Sequence, residues 1–179
     1  ELSPNDILNL KISEVGIDRI SDIYSTKQCT INKLHSHKLE KCIAQFERNT
    51  ICKIAVYPSA RSELEHEAEI LRSIQNCRFF PQLVSYGTNK IPEFLILETS
   101  PAGYPLAEIL PSKNSEPLSQ NFVDKLVGQV KKALYCLHHF GFVFVDLHPG
   151  NIILTSTYLP KMQVMLVDFG MTRKLHTEA

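Results

Sequence analysis

The sequence lacks several features that mark common classes of protein. Its 19 basic and 19 acidic side chains give a formal net charge of zero, so no overall positive field favours nucleic acid or an anionic membrane. It has no apolar run long enough to span a bilayer. The five cysteines are odd in number and form no Cys-x-x-Cys pair. This pattern argues against a zinc site or a disulfide framework and favours a reducing compartment such as the cytoplasm.

What is present predicts a folded domain of mixed helix and strand. The 179 residues are 44% hydrophobic and 21% charged, which is enough for a sizeable core. Gly141 follows the longest helical pattern, where a residue with positive φ commonly ends a helix. The predicted strands cover 29–34, 41–46, 50–56, 81–86 and 94–97, and the predicted helices cover 5–11, 60–75 and 119–140.

Two carboxylates and an amide are predicted to share one cleft. Asp146 and Asn151 lie in a loop between the long helix and the apolar run 152–154, and Asp168 follows a second apolar run, 164–167. A returning strand would bring Asp168 back to the same loop. Oxygen ligands of this kind suit Mg²⁺, which binds through one or two carboxylates together with substrate phosphates.

Lys53 stands inside an apolar strand, where a charged side chain is costly to bury unless it is paired. The next helix offers Glu67 as a partner and Glu63, on the same face, as a rival. A lysine on an edge strand, with its ammonium group reaching solvent, is the alternative. The buried face of that helix is predicted from apolar residues at helical spacing, namely Leu64, Ala68, Leu71 and Ile74.

Residues 146–151 (Asp-Leu-His-Pro-Gly-Asn) and 168–170 (Asp-Phe-Gly) resemble the catalytic loop and the Asp-Phe-Gly motif of the protein-kinase-like superfamily. Residues 51–54 (Ile-Cys-Lys-Ile) are similar to the strand whose lysine, in that family, pairs with a helix glutamate. Here that glutamate would be Glu67. The amino-acid sequence of the catalytic loop is also similar to that of aminoglycoside and choline phosphotransferases.

The resemblance implies an α+β, two-lobed fold. Residues 27–99 would form an N-lobe with a five-stranded antiparallel sheet and one helix, preceded by an extension over 1–26. Residues 100–179 would form the helical C-lobe. Because only residues 171–179 follow the Asp-Phe-Gly motif, a truncated C-lobe is expected, similar in architecture to minimal bacterial effector kinases.

The resemblance also implies a role for each site residue. Asp146 would orient the acceptor hydroxyl and take its proton, Lys53 would hold the α- and β-phosphates of ATP, and His148 would replace the lysine that steadies the γ-phosphate. Glu67 would orient Lys53. Glu98 and Ser100 would lie in the hinge that binds adenine. Asn151 and Asp168 would hold Mg²⁺. Replacing Lys53 or Asp168 is then expected to abolish transfer and leave the fold largely intact.

Two departures from the family pattern affect these expectations. The connection predicted between the first two strands, residues 35–40, contains no glycine, although kinases cover the phosphates with a glycine-rich loop there. Weak nucleotide binding is therefore expected. The family's His-Arg-Asp becomes Phe144-Val145-Asp146, and valine cannot meet a phosphate, so control by activation-loop phosphorylation is not expected.

The first hypothesis for function is a minimal Ser/Thr protein kinase that uses ATP and Mg²⁺. The alternatives are a pseudokinase acting as a protein-binding module and a small-molecule phosphotransferase. The expected partners are a protein substrate or a regulatory protein, without nucleic acid and without membrane insertion. The expected location is the cytoplasm, or the host cytosol if the chain is a secreted effector.

Overall fold

The computed structural model describes residues 31–38, 41–46, 50–55, 58–88, 95–111 and 116–175. The predicted helix over 5–11 and the predicted extension over 1–26 lie outside these residues. The chain divides into two compact units, each described here by itself. The first comprises Glu1–Ala68 and Leu83–Ala102, and the second comprises Glu69–Gln82 and Gly103–Ala179.

The first unit is built on an antiparallel sheet. Among the described residues it has five strands in the order β1-β2-β3-β5-β4. These strands are β1 (Ile31–Lys38), β2 (Lys41–Phe46), β3 (Thr50–Ala55), β4 (Gln82–Thr88) and β5 (Leu95–Ser100). Strands β1, β2 and β3 form a meander, and β3 also pairs with β5. The predicted α+β class and antiparallel sheet are confirmed.

The boundary of the first hairpin corrects one prediction. Strand β1 continues through Lys38, which pairs with Lys41, so most of the segment read as a connection is strand. The run of polar residues there hides the strand from hydrophobic periodicity, whereas the ladder is made by backbone groups. The register of the β1–β2 pairing shifts between Leu34 and Ser36, as it does at a β-bulge.

Helix α1 (Pro58–Ser73) follows the meander and begins with proline, which suits the first helical position because its missing N–H has no partner there. The predicted apolar face is confirmed, because each of its four residues is fully buried: Leu64, Ala68, Leu71 and Ile74. Ile74 lies just beyond the helix and continues its hydrogen bonding, since its N–H donates to Ile70 O at 3.1 Å.

The second unit contains helices α2 (Leu106–Ile109) and α3 (Gln120–His139). Helix α3 begins at an N-cap, Ser119, whose hydroxyl accepts a hydrogen bond from the N–H of Phe122 at 3.3 Å. It ends at His139 with Phe140 as the C-cap, and Gly141 follows with φ +85° and donates its N–H to His138 O at 2.9 Å. The predicted long helix and its glycine terminator are confirmed. None of the described helices is both long enough and apolar enough to cross a membrane.

Short strands complete the second unit as the structure describes it. A three-stranded sheet has the order β6-β8-β9, and β10 pairs with β7. The strands are β6 (Tyr104–Pro105), β7 (Phe142–Val143), β8 (Ile152–Leu154), β9 (Val164–Leu166) and β10 (Arg173–Lys174). The predicted returning strand before Asp168 is confirmed, because β9 pairs antiparallel with β8. The residue before β6 is Gly103. A side chain is unfavourable there because its Cβ would clash with Ile153 Cγ2.

Candidate active site

The first unit contains a buried ion pair. Lys53 Nζ lies 2.8 Å from both carboxylate oxygens of Glu67, and the two residues are 5% and 1% exposed. Strand β3 lies between β2 and β5, so the edge-strand alternative for Lys53 is wrong. The partner is the predicted Glu67. Because both groups are buried in the interior of the first unit, we expect replacement of Lys53 to perturb the core as well as any phosphate contact, in place of the intact fold expected from the sequence.

In the second unit, Asn151 holds Asp146. Its Nδ2 group donates to Asp146 O at 3.0 Å and to Asp146 Oδ2 at 3.1 Å. Both amide hydrogens are thereby used, which leaves Oδ1 as the side-chain oxygen able to ligate a cation. Asn151 is buried, and its backbone carbonyl accepts a hydrogen bond from the N–H of Val167 at 3.0 Å. This bond ties the loop to the residue immediately before Asp168.

His148 lies beside Asp146 in a defined orientation. Its Nδ1 accepts a hydrogen bond from Gly150 N–H at 3.1 Å, which assigns the ring proton of the neutral form to Nε2. Nε2 is 3.6 Å from Asp146 Oδ2, and the two side chains are 50% and 41% exposed. A Cβ at Gly150 would lie 2.8 Å from His148 Cε1, so a side chain at position 150 would displace the ring from this orientation. His148 therefore has one donor with which to meet a phosphate.

Asp168 sits at a sharp turn of the backbone. Its φ of +68° is left-handed, a conformation that aspartate tolerates better than most residues. The next residue, Phe169, is 0% exposed and packs edge-to-face against Phe80 and Phe144, with ring centroids 5.6 and 5.5 Å away. The buried ring anchors the turn, while Asp168 remains half-buried.

The supporting roles of Phe80 and Phe144 were missed from the sequence. Phe144 stands where the family motif has histidine, and its ring supports Phe169 instead of taking part in the chemistry. The backbone carbonyl of Phe79 also accepts from Leu166 N–H at 2.9 Å, which attaches this aromatic segment to β9. The adjacent aromatic pair at 79–80, placed between the predicted helix and strand, was the available signal.

Comparison with known proteins identifies the family. A family model described as the protein kinase domain matches residues 19–179. The chain belongs to this family. The sequence-based recognition of a protein-kinase-like chain is thereby confirmed.

Curated relatives of this kinase domain include three proteins named as serine/threonine kinases. Rabbit (Oryctolagus cuniculus) serine/threonine-protein kinase 17A is 29% identical over 113 residues, which are 63% of this chain and 28% of that protein. Caenorhabditis briggsae serine/threonine-protein kinase dkf-2 is 32% identical over 126 residues, 69% of this chain and 10% of that protein. Dictyostelium discoideum probable serine/threonine-protein kinase fhkA is 29% identical over 119 residues, 66% and 20% respectively. The chain thus spans roughly a tenth to a quarter of these proteins' lengths.

The predicted site residues of the kinase domain fall in both units. Lys53 and Glu67 belong to the first, whereas the second holds Asp146, His148, Asn151 and Asp168. The two hinge residues lie on β5, where Glu98 pairs with Cys52 across the ladder and Ser100 ends the strand. The side chains of Glu98 and Ser100 lie outside the described part of the structure, and their contact with adenine stays a prediction.

Proposed function

We propose that this kinase domain transfers the γ-phosphate of ATP to the hydroxyl of a serine or threonine in a protein. The observation that carries the proposal is the contact between Asn151 and Asp146. It fixes the carboxylate of Asp146 while leaving that side chain 41% exposed, as a base that must meet a substrate requires. The choice of serine or threonine rests on the relatives, which are named as serine/threonine kinases.

Each residue has a separate task in this proposal. Asp146 accepts a hydrogen bond from the acceptor hydroxyl and takes its proton as the oxygen attacks phosphorus. Lys53, oriented by Glu67, binds the α- and β-phosphates, and His148 Nε2–H donates to the γ-phosphate. These tasks involve positioning and charge, with no covalent intermediate on the protein.

The available oxygen donors fit Mg²⁺. Asn151 Oδ1 and the carboxylate of Asp168 are hard ligands of the kind that the ion takes alongside phosphate oxygens. Bound Mg²⁺ would neutralise part of the phosphate charge. The hydrogen bonds from Asn151 Nδ2 to Asp146 set the orientation of the amide, so one contact prepares both the base and the ligand.

The test is transfer of label from γ-³²P-ATP to casein, a generic protein acceptor, in the presence of Mg²⁺. Asp146→Asn keeps the shape of the side chain and removes the base, so the rate should fall by about 10²–10⁴-fold. Asp124→Asn is the matched control, because Asp124 is an exposed carboxylate on α3 that accepts from Gln120. Full activity of Asp146→Asn would contradict the proposal.

A pseudokinase function is favoured by a different observation, the absence of glycine from residues 35–40. On that function the unmodified chain would label no acceptor, and ATP with Mg²⁺ at millimolar concentration would not raise the melting temperature. The small-molecule alternative predicts labelling of an aminoglycoside or of choline, and none of casein. Labelling of casein together with a rise in melting temperature supports the proposed protein kinase activity.

A further inference from the structure

Two cysteines of the second unit lie in direct contact. Cys77 Sγ and Cys136 Sγ are 2.9 Å apart, although the two residues are 59 positions apart in the chain. Both are free thiols, and both residues are partly exposed to solvent. Neither has a part in the phosphotransfer chemistry proposed above.

The backbone of Cys77 is held in place by the turn that follows α1. Asn76 takes a left-handed conformation with φ +67° and donates its N–H to Gln82 Oε1 at 2.8 Å. The Nε2 group of Gln82 donates back to Phe80 O at 3.2 Å, and Cys77 O accepts from Phe80 N–H at 3.2 Å. These bonds close the turn on itself and present Cys77 in a fixed position.

Cys136 is held as firmly from the other side. It belongs to α3, and the neighbouring residues Ala133 and Leu137 on that helix are fully buried. The two sulfur atoms therefore meet between an anchored turn and an anchored helix. A disulfide requires an S–S distance of about 2.05 Å, so these atoms are within roughly 1 Å of bonding distance.

We propose that Cys77 and Cys136 form an oxidisable dithiol, which a low-molecular-weight disulfide converts into an intrachain disulfide and a thiol reductant restores. Disulfides are rare in cytosolic proteins, and those that occur there are usually transient rather than permanent cross-links. The cysteine pair is therefore proposed as a modification site, and this proposal does not depend on the proposed phosphotransfer activity.

The environment of the two sulfurs affects the ionisation of Cys136. Burial, followed by the hydrogen bond to Cys77 and its charge, raises the pKa of the Cys136 thiol to about 11. Because the thiolate is the nucleophile, each attack follows ionisation of the attacking thiol, and the steps are the same in kind whichever cysteine attacks first.

Oxidised glutathione is the oxidant in this exchange and accepts the electrons and protons that the two thiols lose. Cys77 loses its proton and attacks one sulfur of oxidised glutathione, which forms a mixed disulfide and releases one glutathione. Cys136 then loses its proton and attacks the Cys77 sulfur, which forms the Cys77–Cys136 bond and releases the second glutathione. The protein loses two electrons and two protons, and the reagent gains both as two molecules of reduced glutathione.

The experiment treats the reduced full chain with mixtures of oxidised and reduced glutathione, blocks remaining thiols with N-ethylmaleimide, and maps peptides by mass spectrometry. A peptide linked through Cys77 and Cys136 is expected, and dithiothreitol should release it. The Cys136→Ser variant lacks the second thiol and should accumulate a glutathione adduct on Cys77. The Cys77→Ser variant should likewise form no linked peptide, and any glutathione adduct of the pair should lie on Cys136.

A second measurement separates a real cross-link from a slow surface reaction. The oxidised chain should unfold at a higher urea concentration than the reduced chain, because the bond closes a long loop in the unfolded state. A chain that stays reduced in oxidised glutathione alone, while Cys136→Ser still gains the Cys77 adduct, would overturn the proposal. So would preferential linkage of either sulfur to Cys29, Cys42 or Cys52.

Discussion

Removal of the positive charge from the Lys53–Glu67 pair should destabilise the fold far more than an ordinary lysine substitution. Lys53→Met keeps the length of the side chain but leaves the Glu67 carboxylate, 1% exposed, without its 2.8 Å partner. A buried charge that loses its ion-pair partner keeps the cost of dehydration and forfeits the attraction that offset it. We expect a loss of about 3–5 kcal/mol in the free energy of unfolding.

The balance between ion-pair attraction and desolvation explains why Lys53→Met alone should lower the free energy of unfolding more than replacement of both Lys53 and Glu67. At 2.8 Å and an effective dielectric constant of about 20, the attraction in the pair is on the order of 6 kcal/mol. Desolvation of the two ions costs several kcal/mol each, so the intact pair contributes little net stability. The double variant Lys53→Met with Glu67→Met removes both the attraction and both desolvation costs. Its stability should therefore lie within about 2 kcal/mol of the unmodified chain.

Equilibrium unfolding in urea measures these differences. With a slope of roughly 1–3 kcal/mol per molar, Lys53→Met should lower the midpoint by at least about 1 M. The matched control is Lys131→Met on the exposed face of α3, which should change stability by less than about 0.5 kcal/mol. Two results would contradict this reasoning. One is a urea midpoint for Lys53→Met equal to that of the control variant, and the other is a double variant less stable than either single variant.

Four further substitutions test local features of the second unit. Gly141→Ala should destabilise the chain by about 1–2 kcal/mol, because φ +85° is strained for alanine; Gly128→Ala, inside α3 with open space around its Cβ, should instead stabilise it by about 0.5–1 kcal/mol. Both are measured by urea unfolding. Ser119→Ala removes the N-cap of α3 and should cost about 1 kcal/mol in the same assay. Gly150→Ala should displace the His148 ring, visible as a shift of its imidazole proton resonances, and lower the transfer rate.

Regular periodicity made the main elements predictable. The apolar face of α1 and the length of α3 follow from helical spacing, and Gly141 marks the end of α3 because positive φ favours glycine. Strands β6, β7 and β10 are two residues long, too short for an alternating pattern to appear. The end of β1 was misplaced because its polar residues hide a ladder that backbone groups make.

The site was predictable where the chemistry lies in short motifs. The spacing from Asp146 to Asn151 and the lysine inside an apolar strand were readable, since both depend on residues close in sequence or on a charge that needs a partner. The contacts of Phe169 with Phe80 and Phe144, and of Cys77 with Cys136, join segments distant in sequence. Spacing carries no signal for such pairs, because the tertiary fold alone brings them together.

The contrast in exposure between Lys53 and Asp146 decides how their roles can be separated. Lys53 is buried with its counter-ion, so any loss of activity on substitution combines a weaker fold with a lost phosphate contact. The Asp146 carboxylate is 41% exposed and is held by Asn151 Nδ2, with His148 at 3.6 Å. Replacing it by asparagine keeps the shape of the side chain and removes a partly exposed charge. A variant of Asp146 with unchanged unfolding and a lower transfer rate therefore reports on chemistry alone, whereas variants of Lys53 require the stability measurement first.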